Sequence, residues 1–300
     1  MHDHHSHQHN HAHDADVKNI SVAFFLNLSF TIIEIIGGLL TNSMAILSDA
    51  IHDLGDSFSL GMAWYFQKFS KKKSDKHYSY GYKRFALLGA IINSIILLVG
   101  SIFIISEAIP RILNPEPTHT VGMFFLAILG VGVNGAAMFR LRRGNSLNEK
   151  VVSLHMLEDV LGWLAILIGS VVMHFFDMPV LDPVLSVAIA LFVIFNVFKN
   201  LKQSLKIVLQ AIPQEIDSEK ITDELVAFDE IKSVHDLHIW SVDGEYNVMT
   251  LHVVLTGSLN AVQQTALKQK IREHLLHEGI QHATIEFENE TEKCDFEECC

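Results

Sequence analysis

The chain has 300 residues, of which 49% are apolar and only 19% charged, and a formal net charge of -12; that is too apolar for an ordinary soluble protein of this length and suits a membrane domain followed by a small soluble one. Residues 211–300 hold 19 Asp and Glu against 6 Lys and Arg, so no basic stripe offers itself to phosphates and nucleic acid is excluded as a partner. Cys294, Cys299 and Cys300 are the only cysteines, too few and too clustered for a disulfide framework, and the polar first sixteen residues lack the apolar core of a cleavable signal peptide.

Residues 1–16 form a head in which His2, His4, His5, His7, His9, His11 and His13 alternate with Asp, Ser, Gln, Asn and Ala. Such a segment builds no core and is expected to be disordered without metal. Its clustered imidazoles bind divalent metals loosely, so it reads as a concentrator or sensor rather than a site of fixed geometry.

Residues 17–209 contain six apolar segments, approximately Val17–Leu40, Met44–Phe66, Phe85–Ala108, Val121–Leu141, Val151–Phe176 and Val184–Leu205. Each is long enough to cross a hydrocarbon core of about 30 Å, which makes the protein a multi-pass resident of a lipid bilayer. The second connection carries Lys68, Lys71, Lys72, Lys73, Lys76, Lys83 and Arg84; the fourth carries Arg140, Arg142, Arg143 and Lys150; the sixth segment ends with Lys199, Lys202 and Lys206. The other connections contain only Arg111. Basic residues mark the cytoplasmic side, so both termini are expected there.

Ionisable residues within a span are costly and need a partner or a task. The second span has Asp49, His52, Asp53 and Asp56, and the fifth has His155, Glu158 and Asp159. Both carry His-x-x-x-Asp. Four residues advance a helix by about 400°, so His and Asp lie one turn apart on one face. His52/Asp56 opposed to His155/Asp159 supplies two imidazoles and two carboxylates, a set suited to tetrahedral Zn²⁺ and harder than copper(I) prefers. Asp49 and Asp53 line an approach to this site or hydrate a helix end. Glu34 reads as a hydrogen-bonding residue of the bundle, Asn27, Asn93 and Asn134 as interhelical contacts, and Gly37-Gly38 as a point of close packing.

Residues 210–290 read as a soluble domain. A helix is expected over Asp217–Phe228, capped by Asp217 or Ser218. Strands follow over Val234–Ser241 and Asn247–Thr256 around Asp243-Gly244. Next come a helix over Asn260–His277, stopped by Gly279, and a strand over Ala283–Glu288. The order describes a small α+β sandwich. Its strands carry His235, His238, His252, His282, Glu286 and Glu288, of which 282, 286 and 288 share one face. The tail, residues 291–300, adds the thiols, with Cys299 and Cys300 as further candidate ligands. His238, His274 and His277 taken singly read as solvated surface.

The run Asn42-Ser43-Met44-Ala45-Ile46-Leu47-Ser48-Asp49-Ala50-Ile51-His52, followed by Asp56, resembles the second span of the cation diffusion facilitators. His77-x-Tyr-x-Tyr-Gly81-Tyr82-x-Arg84, His155-x-x-x-Asp159 and His235-Asp-Leu-His-Ile-Trp240 are similar to their later motifs, in the family's order. The closest likeness is to bacterial zinc/cobalt/cadmium resistance exporters. The resemblance implies a homodimer with a six-transmembrane-helix bundle and a ferredoxin-like cytoplasmic domain, in the bacterial cytoplasmic (inner) membrane. It implies Zn²⁺/H⁺ antiport by alternating access, with Co²⁺ and Cd²⁺ as alternative cargo and protons as counter-ion. It places transport ligands at His52, Asp56, His155 and Asp159, and cytoplasmic ligands at His235, His252 and Glu288. Where the family often has His before the last strand, this chain has Gln281, with His282 beside it.

The competing class is a membrane zinc sensor that binds metal without moving it; paired ligands deep in two spans favour a route. No His-Glu-x-x-His occurs, which argues against a metalloprotease and so against an enzyme, and no GxxxxGK[S/T] loop is present for ATP.

Overall fold

The computed structural model describes the backbone of residues 10–70, 74–141 and 147–290, and the side chains of residues 24–59, 61, 62, 65, 74–139 and 156–290. Six long helices come first: α1 (Asn10–Thr41), α2 (Met44–Ser70), α3 (Phe85–Leu113), α4 (Thr120–Leu141), α5 (Leu147–Phe176) and α6 (Leu181–Val208). The shortest has 22 residues, about 33 Å at 1.5 Å per residue. Among the described residues, five of the six contain a stretch long and apolar enough to cross a membrane. The remaining one, α2, has 27 residues, carries the carboxylates Asp49, Asp53 and Asp56, and has its side chains described without a break only over residues 44–59. Large apolar side chains point outward: Leu40 is 79% exposed, Phe175 76% and Phe195 69%. Lipid, not water, is the solvent that makes such a surface stable.

Two bounds differ in an instructive way. Helix α1 begins at Asn10, so the backbone of residues 10–16 continues the first long helix instead of belonging to an unstructured head; no Pro or Gly between Asn10 and Val17 interrupts it. Helix α3 continues past Ala108 to Leu113, because Pro110 removes one backbone donor without stopping the helix.

The bundle packs around α2. Ala45 and Ile46 of α2 meet Met123 and Ala127 of α4 and Trp163, Ile166 and Met173 of α5 in one buried cluster. Met44 joins Ile104 of α3 and Ala190 of α6 in another. Gly130 of α4 lies so close to the Trp163 indole that an added Cβ would overlap the ring, and Gly37 and Gly38 likewise admit Leu126 and Leu47. Asn42, at φ 53°, makes the tight α1–α2 turn. Asp182 of α6 then caps α2: its carboxylate accepts from Ser43 Oγ at 2.5 Å, Met44 N at 2.7 Å and Ala45 N at 3.3 Å.

Residues 202–290 and the α2–α3 connection belong to a second compact unit. It contains α7 (Ser218–Val226), β1 (Ile231–Ser241), β2 (Asn247–Leu255), α8 (Ala261–His277) and β3 (His282–Glu288). The sheet order is β1-β2-β3, with β1 antiparallel and β3 parallel to β2; the parallel pair needs a crossover, which α8 supplies. Asp217 caps α7, and Asn260 with Gln263 forms a capping box on α8. Gly279, at φ 85°, ends α8 in the left-handed conformation that glycine adopts readily. Both helices lay Ile221, Leu225, Leu267, Ile271 and Leu275 on the sheet residues Ile239, Met249, Leu251 and Val253. In the α2–α3 connection Asp75 accepts from the Tyr82 hydroxyl at 2.8 Å, and Lys83 Nζ lies 3.5 Å from the centre of the Tyr246 ring.

Candidate metal centres

The first centre lies in the membrane unit. Helical spacing puts Asp56 one turn beyond His52, and the buried cluster around Ile46 and Trp163 holds α2 beside α5. His52 Nε2 is therefore 3.8 Å from Asp56 Oδ2 and 3.8 Å from Asp159 Oδ1. The side chains are 16%, 24% and 6% exposed for His52, Asp56 and Asp159. Ligands at about 2.0–2.2 Å from a tetrahedral zinc stand about 3.3–3.6 Å apart, so these separations need only slight contraction. His155 is in α5 one turn before Asp159, and its side chain lies outside the described residues.

Further carboxyls crowd this centre. Glu34 is 1%, Asp49 5% and Asp53 4% exposed. Glu34 shares a side-chain hydrogen bond with Asp53, and Asp49 and Asp159 are its further acidic neighbours. The expected bundle hydrogen bond from Glu34 thus goes to another carboxyl, since α1 brings it opposite an acidic stretch of α2. Gly162 of α5 leaves room for Asp49, whose Oδ1 would be 3.6 Å from a Cβ added there. Asn27 ties α1 to α2 by donating to Asp53 O at 3.1 Å and Ser57 Oγ at 3.0 Å. Asn134 instead donates to Gly130 O one turn back in its own helix. Glu158 is exposed.

The second centre is on the sheet. Register places His235 opposite His252 and Val254 opposite Glu288. Ligand atoms of His235, His252 and Glu288 all lie within 4.8 Å of one another. His235 Nε2 is 3.3 Å from Glu288 Oε2, and His252 Nδ1 is 2.6 Å from Glu288 Oε1. Two imidazoles and a carboxylate are a fitting donor set for a hard-to-borderline divalent ion. Glu286 approaches His252 Nε2 at 3.5 Å from the exposed side.

His282 does not join this set. It is six residues before Glu288 on β3, about 20 Å along an extended strand, and its ring lies 6.2 Å from that of Tyr80. Sharing a strand face does not bring residues together along the strand. Asp236 was not among the candidates read from sequence, yet its Oδ2 lies 3.5 Å from His252 Nε2 and its Oδ1 3.0 Å from His238 Nε2. A register shift between His235 and His238 turns it there, and the odd spacing of those two histidines, which a regular strand would send to opposite faces, was the available signal. Cys299 and Cys300, and the side chains of His2, His4, His5, His7, His9, His11 and His13, lie outside the described residues.

Comparison with known proteins gives a concordant result over nearly the whole chain. The family model described as "Cation efflux transmembrane domain" matches residues 20–209, and "Cation efflux protein, cytoplasmic domain" matches residues 213–290. A Bacillus subtilis protein named "Cadmium, cobalt and zinc/H(+)-K(+) antiporter" is 35% identical over 94% of this chain and 92% of its own length. "Zinc transporter ZitB" of Yersinia pestis is 33% identical over 92% of this chain and 88% of its own. "Metal cation efflux system protein CzcD" of Cupriavidus metallidurans is 33% identical over 90% and 86%.

Proposed function

This chain belongs to the cation efflux family, and from that premise we propose that it is a secondary-active zinc exporter that exchanges Zn²⁺ for protons by alternating access, with Co²⁺ and Cd²⁺ as alternative cargo. The transport ligands are His52, Asp56, His155 and Asp159. The observation that carries this reading is His52 Nε2 standing 3.8 Å from carboxylate oxygens of both α2 and α5, a mixed N/O site between two spans. The deep pair gives metal a route, and the relatives named above carry transport or efflux names; nothing favours the sensor reading.

The division of labour follows the chain. Residues 1–16 collect metal, residues 17–209 carry it, and residues 210–290 form a cytoplasmic domain that pairs two copies. The tail, residues 291–300, follows with its thiols. The two termini face the cytoplasm of a bacterium, and the protein sits in the inner membrane. His235, His252 and Glu288 hold a regulatory Zn²⁺, which would bind two imidazole nitrogens and a carboxylate and offset part of the domain's negative charge.

Transport couples to protons because zinc ligands must be unprotonated. In the cytoplasm-facing state metal displaces protons from the imidazoles and carboxylates; in the outward state protons return and displace metal. One set of residues serves both cargoes. Among described residues the surplus of carboxyls, Glu34, Asp49 and Asp53 beside Asp56 and Asp159, makes a cation or protons obligatory at this depth.

The test is purified protein in liposomes, with zinc on the side bearing the termini and pH dyes reporting protons. Wild type should move zinc with opposing proton flow. Asp56→Ala and Asp159→Ala should each reduce zinc flux to the background of empty liposomes while still inserting. Wild-type flux in both variants would overturn the site; zinc movement at full rate without proton countermovement would overturn antiport.

A further inference from the structure

We infer that Asp236 is a positioning residue for the cytoplasmic centre, holding the Nε2 edge of His252 so that Nδ1 faces the position shared with His235 and Glu288. This rests on the reading of that centre as a metal site.

The geometry separates the two edges of the His252 ring. Nδ1 is 2.6 Å from Oε1 of Glu288, a fellow member of the candidate ligand set. Nε2 is 3.5 Å from Asp236 Oδ2 and 3.5 Å from Glu286 Oε2. At that range the contact is electrostatic rather than a short hydrogen bond. Equal distance does not mean equal grip. The Glu286 side chain is 68% exposed, so water screens it and its rotamers are unrestrained. The Asp236 side chain is 16% exposed and is fixed from two directions.

The first constraint is the backbone. Asp236 sits at φ 46°, within the register shift between His235 and His238. This left-handed conformation is disfavoured for most side chains and tolerated by Asp and Asn. A regular strand would have turned the side chain at 236 to the face opposite His235; the bulge turns it toward His252. The second constraint is His238, whose Nε2 lies 3.0 Å from Asp236 Oδ1. One carboxylate thus spans two imidazoles, His238 on its outer side and His252 on its inner side. A ligating imidazole whose other nitrogen meets a carboxylate has its ring orientation and tautomer set and its ligand nitrogen made more basic. Asp236 is placed to do this for His252, and His238 to hold Asp236.

The experiment uses the protein in detergent, with residues 2–13 deleted to remove the competing imidazoles of the head, titrated with Co²⁺ and with Zn²⁺ in competition. The binding step lost in His252→Ala defines the centre. In Asp236→Asn, which tolerates the same backbone, that step should weaken by about 10–100-fold and its cobalt absorption should change shape, with the metal-free melting temperature of the domain unchanged. Asp236→Gly, which keeps the bulge without any side chain, should weaken it at least as much, and His238→Ala by less. Ile239→Val, which loosens the same strand through the core, should leave affinity and spectrum as in wild type. Wild-type affinity in both Asp236→Asn and Asp236→Gly, in a chain where His252→Ala abolishes the step, would overturn the positioning role while leaving the site intact. No step lost in His252→Ala would overturn the site itself and the inference with it.

Discussion

Asp182→Ala should uncouple the start of α2 from α6. In the intact protein one buried carboxylate, 0% exposed, takes three donors: the Ser43 hydroxyl at 2.5 Å and the amides of Met44 at 2.7 Å and Ala45 at 3.3 Å. The Ser43 hydroxyl can rotate to another acceptor, and its oxygen still accepts from Ile46 N at 3.2 Å. The two amides cannot move without unwinding the first turn. Leaving a buried donor unmet costs about 1–3 kcal/mol, the Ala45 contact at the lower end because it is long, so the loss sums to about 2–4 kcal/mol. Asp182→Asn keeps one oxygen acceptor for Met44 N and should lose about 1–2 kcal/mol. Ser43→Ala removes one hydrogen bond and one acceptor and should lose about 1 kcal/mol. The assay is reversible denaturation of purified protein in detergent, monitored by the fluorescence of Trp163 with the remaining tryptophans replaced. The expected order of stability is wild type, then Ser43→Ala and Asp182→Asn, then Asp182→Ala. If Asp182→Ala unfolds at the wild-type denaturant concentration, the carboxylate does not hold the helix start and the capping argument fails.

Gly130→Ala should destabilise the bundle by about 1–3 kcal/mol through overpacking, because its methyl group would overlap the fully buried Trp163 ring; combining it with Trp163→Leu should recover part of the loss in the same denaturation assay. On the cytoplasmic domain, hydrogen bonding to Lys220 holds Glu278 below its usual 4.5, and the same bond, helped by Glu224, raises Lys220 above 10.5. The Glu278 contribution is therefore present above pH 4.5 and lost as pH falls through its lowered value, and that of Lys220 is present below pH 10.5 and lost as pH rises through its raised value. The Lys220 side chain is exposed and that of Glu278 partly so, so salt should shrink the difference between wild type and Glu278→Gln in thermal melts near neutral pH. Deleting residues 2–13 should preserve the maximal zinc flux in liposomes and shift only the zinc concentration at half-maximal rate; a deletion without transport at saturating zinc would place the head inside the transport machinery.

The residues most legible in the sequence are those whose neighbours are set by local geometry. His52 and Asp56 lie on one helix, and a repeat of 3.6 residues fixes their common face whatever the rest of the fold does. The long apolar segments announce α1 and α3 to α6 in the same way, and the Asp217 and Asn260 caps mark helix starts by their own side chains. The sheet centre was less legible because it depends on register. His235, His252 and Glu288 come from three strands, and a shift of one residue in any pairing would turn a ligand to the opposite face. His282 shares parity with Glu288 but not position, and parity is all that a strand pattern supplies. Asp236 was hidden for a related reason: a bulge adds a residue to one strand and reverses the alternation on which the reading of faces rests.

The two centres also differ in what surrounds their donors, and that difference matches the tasks proposed for them. The sequence places no Lys or Arg from Asn19 to Thr41, Met44 to Phe66 or Val151 to Phe176, so the carboxyls Glu34, Asp49, Asp53, Asp56 and Asp159 have no fixed cation in their own spans. A permanent counter-charge there would occupy the site and stop transport; its absence leaves the balance to ions that come and go, metal or protons. On the sheet the balance is local and lasting. His252 faces Glu288 on one edge and Asp236 on the other, and His238 braces Asp236 from outside. Mobile charge balance suits a site that must release its ion on every cycle. A braced ligand suits one that keeps it.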